Sequence, residues 1–172
     1  HNHIAKSLRL KKGDSMAVCN GKGVVVEGLV AKVSRSETVV DVQKLLKREE
    51  ENSNRGIIAI APTKNASRFE WFLEKSTECG IHTIQPIFSR HSIRRKINVE
   101  RCMRILQTAA MQSKAFFLPR FNNPLTFSEW LAGSNAKNKY LATAGIGCVD
   151  LKNQVADQTT VVGIGPEGGF HM

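Results

Sequence analysis

The chain has 172 residues, enough for one or two domains whose core needs no disulfide or metal to hold it. Hydrophobic residues make up 41% and charged residues 23%, which excludes a disordered chain, and no apolar run approaches the roughly 18 residues of a membrane span. Lys and Arg number 25 against 15 Asp and Glu, a formal charge of +10 that points to a polyanionic partner, nucleic acid first.

No apolar stretch at the start reads as a signal sequence, so a cytoplasmic protein is expected. Cys19, Cys79, Cys102 and Cys148 are too far apart for a C-x-x-C pair, and the five histidines form no H-E-x-x-H, so no metal site is expected. Cys79 and Cys102 fall on apolar helix faces and read as reduced core residues.

The basic residues Lys6, Arg9, Lys11 and Lys12, opposed only by Asp14, open a β-rich segment. Residues 15–46 alternate β-branched and polar positions, with Asn20-Gly21 as a type I′ hairpin signal and Ser34–Glu37 as the next turn. The polar run Lys47–Arg55 reads as a linker. The expected division is a small β-domain in residues 1–50 and a second domain in residues 51–172. Ile57–Ala61 is a short apolar run ended by Pro62, as in a buried parallel strand. Ser67 and Glu70 form a capping-box pattern for a helix that Gly80 closes, and Thr83–Phe88 returns to strand. This β-α-β pattern predicts an α/β domain with a parallel sheet. Asn98 can cap a helix running to Ser113, Thr126 and Glu129 box a third, and Tyr140–Thr143 and Thr160–Ile164 are further strands.

The sharpest local feature, Gly165-Pro166-Glu167-Gly168-Gly169, follows the last of these strands. Ligands of open α/β sheets bind at the carboxyl ends of strands. Gly163 completes a literal G-x-G-x-x-G, the mark of a dinucleotide-binding oxidoreductase. Pro166 offers no N–H, however, and Glu167 sets a negative charge where phosphates would lie. The loop suits a ligand without phosphates, approached closely by backbone. Arg90, His91, Arg94, Arg95, Lys96, Arg101 and Arg104 form a second basic cluster that runs into a helix N-terminus, where cations are unfavourable unless an outside anion balances them. With few aromatic residues, phosphate and shape contacts to folded RNA fit better than base stacking. A non-catalytic RNA-binding protein is the alternative reading.

Several stretches, in order along nearly the whole chain, resemble the ribosomal RNA small subunit methyltransferase E family. They are His3–Asp14, Lys64 with Arg68, Glu70 with Lys75, Glu78–Ile81, Ile84 with Pro86, Ala109–Ser113 with Pro119, and Gly165–Phe170. The resemblance implies a PUA-like β-barrel followed by a SPOUT-type α/β domain with a C-terminal trefoil knot. It also implies a homodimer, S-adenosylmethionine as methyl donor, and the N3 of a uridine in 16S ribosomal RNA, free or in the small ribosomal subunit, as acceptor. In this reading Gly165, Pro166, Glu167, Gly168 and Gly169, with Leu141 and Ala142, hold the cofactor. Lys6, Arg9, Lys64, Arg68, Arg90, His91, Arg94, Arg95 and Lys96 face the RNA. The family continues into a Leu-Gly…Arg-Ile-Leu-Arg-x-Glu-Thr-like stretch that completes the pocket and closes the knot. That segment is absent from these 172 residues, and the chain is expected to be a fragment. Departures within the chain are His91-Ser92, where the family commonly has Arg before Ser, and Lys114 before Ala115, where it often has Arg near the second position.

Overall fold

The computed structural model of the protein describes residues 8–50, 56–143, 148–151 and 160–170. Lys6 and residues 51–55 of the expected linker lie outside them. The chain separates into two compact units, His1–Glu51 and Asn52–Met172.

The first unit is an antiparallel meander of β1 (Ser15–Cys19), β2 (Val24–Val33) and β3 (Thr38–Arg48). The β1–β2 loop differs from the expected two-residue turn. Asn20 N–H donates to Val24 O at 3.1 Å, and the Asn20 side-chain oxygen accepts from the N–H groups of Lys22 and Val24 at 2.8 and 3.1 Å. Gly21 and Gly23 both take positive φ, so the longer loop uses the second glycine as well. At Gly28 a Cβ would lie 2.5 Å from Val40 Cγ1 and 2.9 Å from Asp41 O, and the β2–β3 register shifts beside it. β3 runs to Arg48, so Lys47 and Arg48 pair with β2 rather than opening the linker. Among the described residues these strands form an open sheet, not a closed barrel.

The second unit is a parallel sheet with helices on both faces. Its strands are β4 (Ile57–Ile60), β5 (Thr83–Phe88), β6 (Arg120–Phe121), β7 (Leu125–Thr126), β8 (Asn138–Ala142) and β9 (Thr160–Ile164). The order is β6-β5-β4-β9-β8, with β7 also on β5, and every pairing is parallel. Alternation along the strands feeds two cores. Ile60 and Ile84 pack under α1 (Ala66–Glu78) and α2 (Val99–Ser113) with Phe69, Leu73, Cys102 and Leu106. On the other face Ala59, Ile87 and Val161 pack against Trp130 of α3 (Phe127–Gly133).

Helix ends follow side-chain chemistry. Asn98 caps α2 by accepting from Arg101 N–H at 2.9 Å, and Thr126 with Glu129 forms the expected box at α3. In α1 the cap is Asn65, whose side chain accepts from Ser67 N–H at 2.9 Å, and not Ser67. The helix thus starts earlier than expected, and Glu70 is released for another role. Cys79, expected in the core, is exposed because it is the C-cap beyond the last buried turn; Cys102 is buried as expected.

Candidate functional site

The sheet order reverses between β4 and β9. From β4 the chain proceeds outward to β5 and its neighbours, and it returns through β8 to insert β9 beside β4. The carboxyl ends of β4 and β9 therefore face a topological switch point, and the glycine-rich loop sits on it.

Two cross-links hold the loop there. Glu167 Oε1 accepts from Lys64 N–H at 3.0 Å, tying the loop after β9 to the loop after β4. Its own backbone N–H and that of Lys64, helped by the charges of Arg68 and Lys64, keep its carboxyl below the usual carboxylate range. Glu167 is thus an ionised, hydrogen-bonded strut and a poor proton acceptor at neutral pH. The second cross-link is steric. A Cβ at Gly168 would meet His91 Cβ at 3.3 Å, and one at Gly165 would meet the Phe170 ring at 3.1 and 3.2 Å. Both glycines let neighbouring chain approach the loop closely.

The basic segment after β5 splits in two. A turn pins its start, with Ser89 N–H donating to Ser92 Oγ at 2.9 Å and Ser92 N–H to Ser89 O at 3.1 Å. Arg90 and His91 are exposed on this turn, and His91 lies against Gly168. Arg95 Nη2 reaches back to Ser89 O and Arg90 O at 3.5 and 3.2 Å. Arg94 Nε donates to Lys96 O at 3.2 Å, and the Arg94 charge acts on Glu70. Arg101 is not free for an outside anion. Its Nε and Nη2 donate to Glu70 at 2.6 and 2.8 Å, and this pair holds Glu70 below the ordinary carboxylate range. Arg104 turns its Nε towards Glu100 O at 3.4 Å. The expected continuous cluster is thus a basic patch at residues 90–96 and a neutralised pair joining α2 to α1.

Lys64 and Arg68 join the glycine-rich loop through Glu167. Leu141 and Ala142, at the carboxyl end of β8, line a cavity of about 430 Å³ with Val162, Cys148, Val149 and Leu151. The cavity lining was legible in Leu141 and Ala142 only; Val162 is reached by strand pairing, which neither composition nor motif reveals. Arg9 belongs to the first unit, is exposed, and has positive φ. Burial raises the Cys102 thiol, which is core and not a nucleophile. Among the described residues no three His, Cys, Asp or Glu converge to hold a metal, and no helix is long and apolar enough to cross a membrane.

A parallel sheet covered on both faces, with a glycine-rich loop and a basic turn over its switch point, defines an α/β protein of the class whose ligand sites lie above the strand ends. Residues 50–172 match the RNA methyltransferase domain family, and the chain belongs to it. It is therefore a methyltransferase by family, in keeping with the resemblance read from its motifs. Over 98% of its length it is 28% identical to the ribosomal RNA small subunit methyltransferase E of Mesomycoplasma hyopneumoniae (strain 232), spanning 74% of that protein. A crystal structure of a probable rRNA methyltransferase from Porphyromonas gingivalis superposes with TM-score 0.82 at 29% identity, covering 99% of this chain and 74% of the other. The ribosomal RNA small subunit methyltransferase E of Neisseria gonorrhoeae, solved bound to S-adenosyl methionine, shares the fold at TM-score 0.80 and 21% identity, over 98% of this chain and 72% of that one.

Proposed function

We propose that this chain takes part in methylating the N3 of a uridine in 16S ribosomal RNA, with S-adenosylmethionine as donor. One observation carries the reading: the glycine-rich loop is braced over the switch point by Glu167, beside a basic turn and an apolar cavity. That arrangement suits a ligand with one apolar ring system and a compact charged end. Gly165 and Gly168 let Phe170 and His91 pack closely against the loop, which fixes its shape for a ligand met by backbone groups. Leu141, Ala142 and Val162 offer apolar surface for an adenine, and no phosphate is required of the Pro166–Glu167 segment. When bound, S-adenosylmethionine supplies an electrophilic sulfonium methyl.

The residues of the chain then have separate tasks. Gly165, Pro166, Glu167, Gly168 and Gly169 shape the cradle, and Glu167 positions it through Lys64. Lys64, Arg68, Arg90, Arg94 and Lys96 supply positive charge for RNA phosphates, His91 sits among them against Gly168, and Arg95 supplies charge for the anion that develops on the uracil as N3 loses its proton. Correct alignment of the two reactants supplies much of the remaining rate. In the same reading the β-meander belongs to a PUA-like RNA-binding domain, the second unit to a SPOUT domain with a trefoil knot, and the protein works as a homodimer in the cytoplasm.

Calorimetry with S-adenosylmethionine, followed by mass spectrometry of 16S ribosomal RNA incubated with both, tests the proposal. The expected result is saturable binding and a single N3-methyluridine. Absence of heat with either the cofactor or its demethylated product would overturn it.

A further inference from the structure

Next to the glycine-rich loop, at the carboxyl ends of β5 and β7, lies a second cavity of about 260 Å³. Phe88, Phe127 and Phe170 form its apolar wall, and Arg90, Arg95 and Ser128 its polar side. We propose that this cavity is the acceptor-base pocket, which receives one unstacked uracil of the RNA and sets Arg95 against its carbonyl edge. The inference rests on the reading of the chain as a uridine methyltransferase.

Four observations support this assignment, the first two of them favouring a base over a phosphate. The wall is aromatic, with Phe127 and Phe170 at 4.7 Å between ring centroids, and such rings stack on a base face but give a phosphate nothing. The volume falls below the roughly 300–1,000 Å³ of drug-sized ligand sites, so it suits a single base and not a nucleotide chain. Arg95 is held in place by the carbonyls of Ser89 and Arg90, both bonded through Nη2. Its Nε and Nη1 have no partner among the described residues, and a guanidinium anchored at Nη2 keeps a planar set of donors for a ligand. Finally, Phe170 is shared. Its ring forms part of this wall and also lies 3.1 Å from the Cβ position at Gly165, so a base here would sit one ring's thickness from the cofactor loop. Enzymes that modify a base must take it out of the stack, and a small aromatic pocket beside the reactive loop meets that need. The site does not depend on the N-terminus of α3, because the Thr126 hydroxyl and N–H are both occupied by Glu129.

The test titrates the whole chain with uridine, a neutral nucleoside that removes phosphate attraction, and follows aromatic side-chain and arginine Nε signals by NMR. The expected result is perturbation of Phe127, Phe170 and Arg95, with at least tenfold weaker uridine binding in Arg95→Gln. Arg95→Gln should also lower kcat for methylation at least tenfold while its RNA affinity and S-adenosylmethionine affinity stay within about twofold. Perturbation confined to the Leu141–Leu151 cavity would overturn the proposal. So would an Arg95→Gln variant that keeps kcat and loses only RNA affinity and salt dependence, since Arg95 would then be a phosphate contact. Failure of the unaltered chain to bind S-adenosylmethionine would count against the methyltransferase reading alone, because the uridine titration decides the pocket separately.

Discussion

Replacing Gly165 with alanine would place a methyl group 3.1 and 3.2 Å from ring atoms of Phe170 and 3.4 Å from the Gly169 carbonyl carbon. Carbon contacts are most favourable at about 3.5–4.0 Å, so the ring or the loop must move by several tenths of an ångström. Phe170 cannot simply rotate away. It lies 4.7 Å from Phe127, which packs 5.7 Å from the buried Trp130. Overpacking of this kind costs about 1–3 kcal/mol, and the half-buried position puts Gly165→Ala near 1 kcal/mol. A domain with about 5–15 kcal/mol of stability remains folded after such a loss, so weaker cofactor binding would report the loop and not global unfolding. We expect S-adenosylmethionine affinity to fall at least tenfold, about 1.4 kcal/mol, by calorimetry alongside urea unfolding. Gly80→Ala is the control. Gly80 has φ +73° and no atom within 4 Å, so alanine there costs about 1–2 kcal/mol of backbone strain away from the loop and should leave binding unchanged. Cofactor affinity within twofold of wild type in Gly165→Ala, with its stability lowered as expected, would refute the loop as the cofactor cradle.

Four further outcomes are expected. Glu167→Gln should keep methylation within about tenfold, because the amide can still accept from Lys64; a drop of the order of 10³ would mark Glu167 as a general base. Since its folded-state titration lies below the ordinary carboxylate range, the bracing contribution is full above the unfolded-state value and is lost as pH falls through the lowered one; the Lys64 amide NMR signal should titrate only in that acidic window. For Glu70 and Arg101, single truncations should each destabilise modestly, and the double variant should lose less than their sum, with Glu70's share vanishing only in acid; strict additivity in urea would show the pair uncoupled. Lys64→Ala with Arg68→Ala should flatten the dependence of log K for RNA on log salt by about 1.5, and an unchanged slope would remove both residues from the RNA interface.

What the chain discloses about itself depends on the range of the interaction. α2 and β9 have the expected bounds because Asn98 and the run before Gly165 act within a few residues. The start of α1 was misread because local pattern alone does not decide it. Asn65 and Ser67 both cap well, and Glu70, which a Ser67 box would need, is instead paired with Arg101, thirty-one residues on. The site itself was legible only in pieces. Gly165–Gly169 and the basic run could be named separately, but not that His91 would touch Gly168 or Glu167 reach Lys64, since no short-range pattern encodes contacts made by strand order. Phe127 gave no signal as a pocket residue. An aromatic at the start of a short helix reads as core, and only the packing against Phe170 shows where it faces.

β9 comes last among the described strands yet is interior in the sheet, between β4 and β8. Its pairing with β4 joins Ile57 to Val161, whereas β4 meets β5 through Ile57 and Thr83. The longer closure spans about four times as much chain, which adds on the order of 1.2 kcal/mol of loop entropy before any contact rewards it. Until β9 docks, β4 is an edge strand and β8 has no other strand to pair with among those described, so both sides of the ligand site are completed in that one addition. Kinetically, catalytic competence and closure of the sheet should appear as a single slow event, with no earlier species able to capture the cofactor.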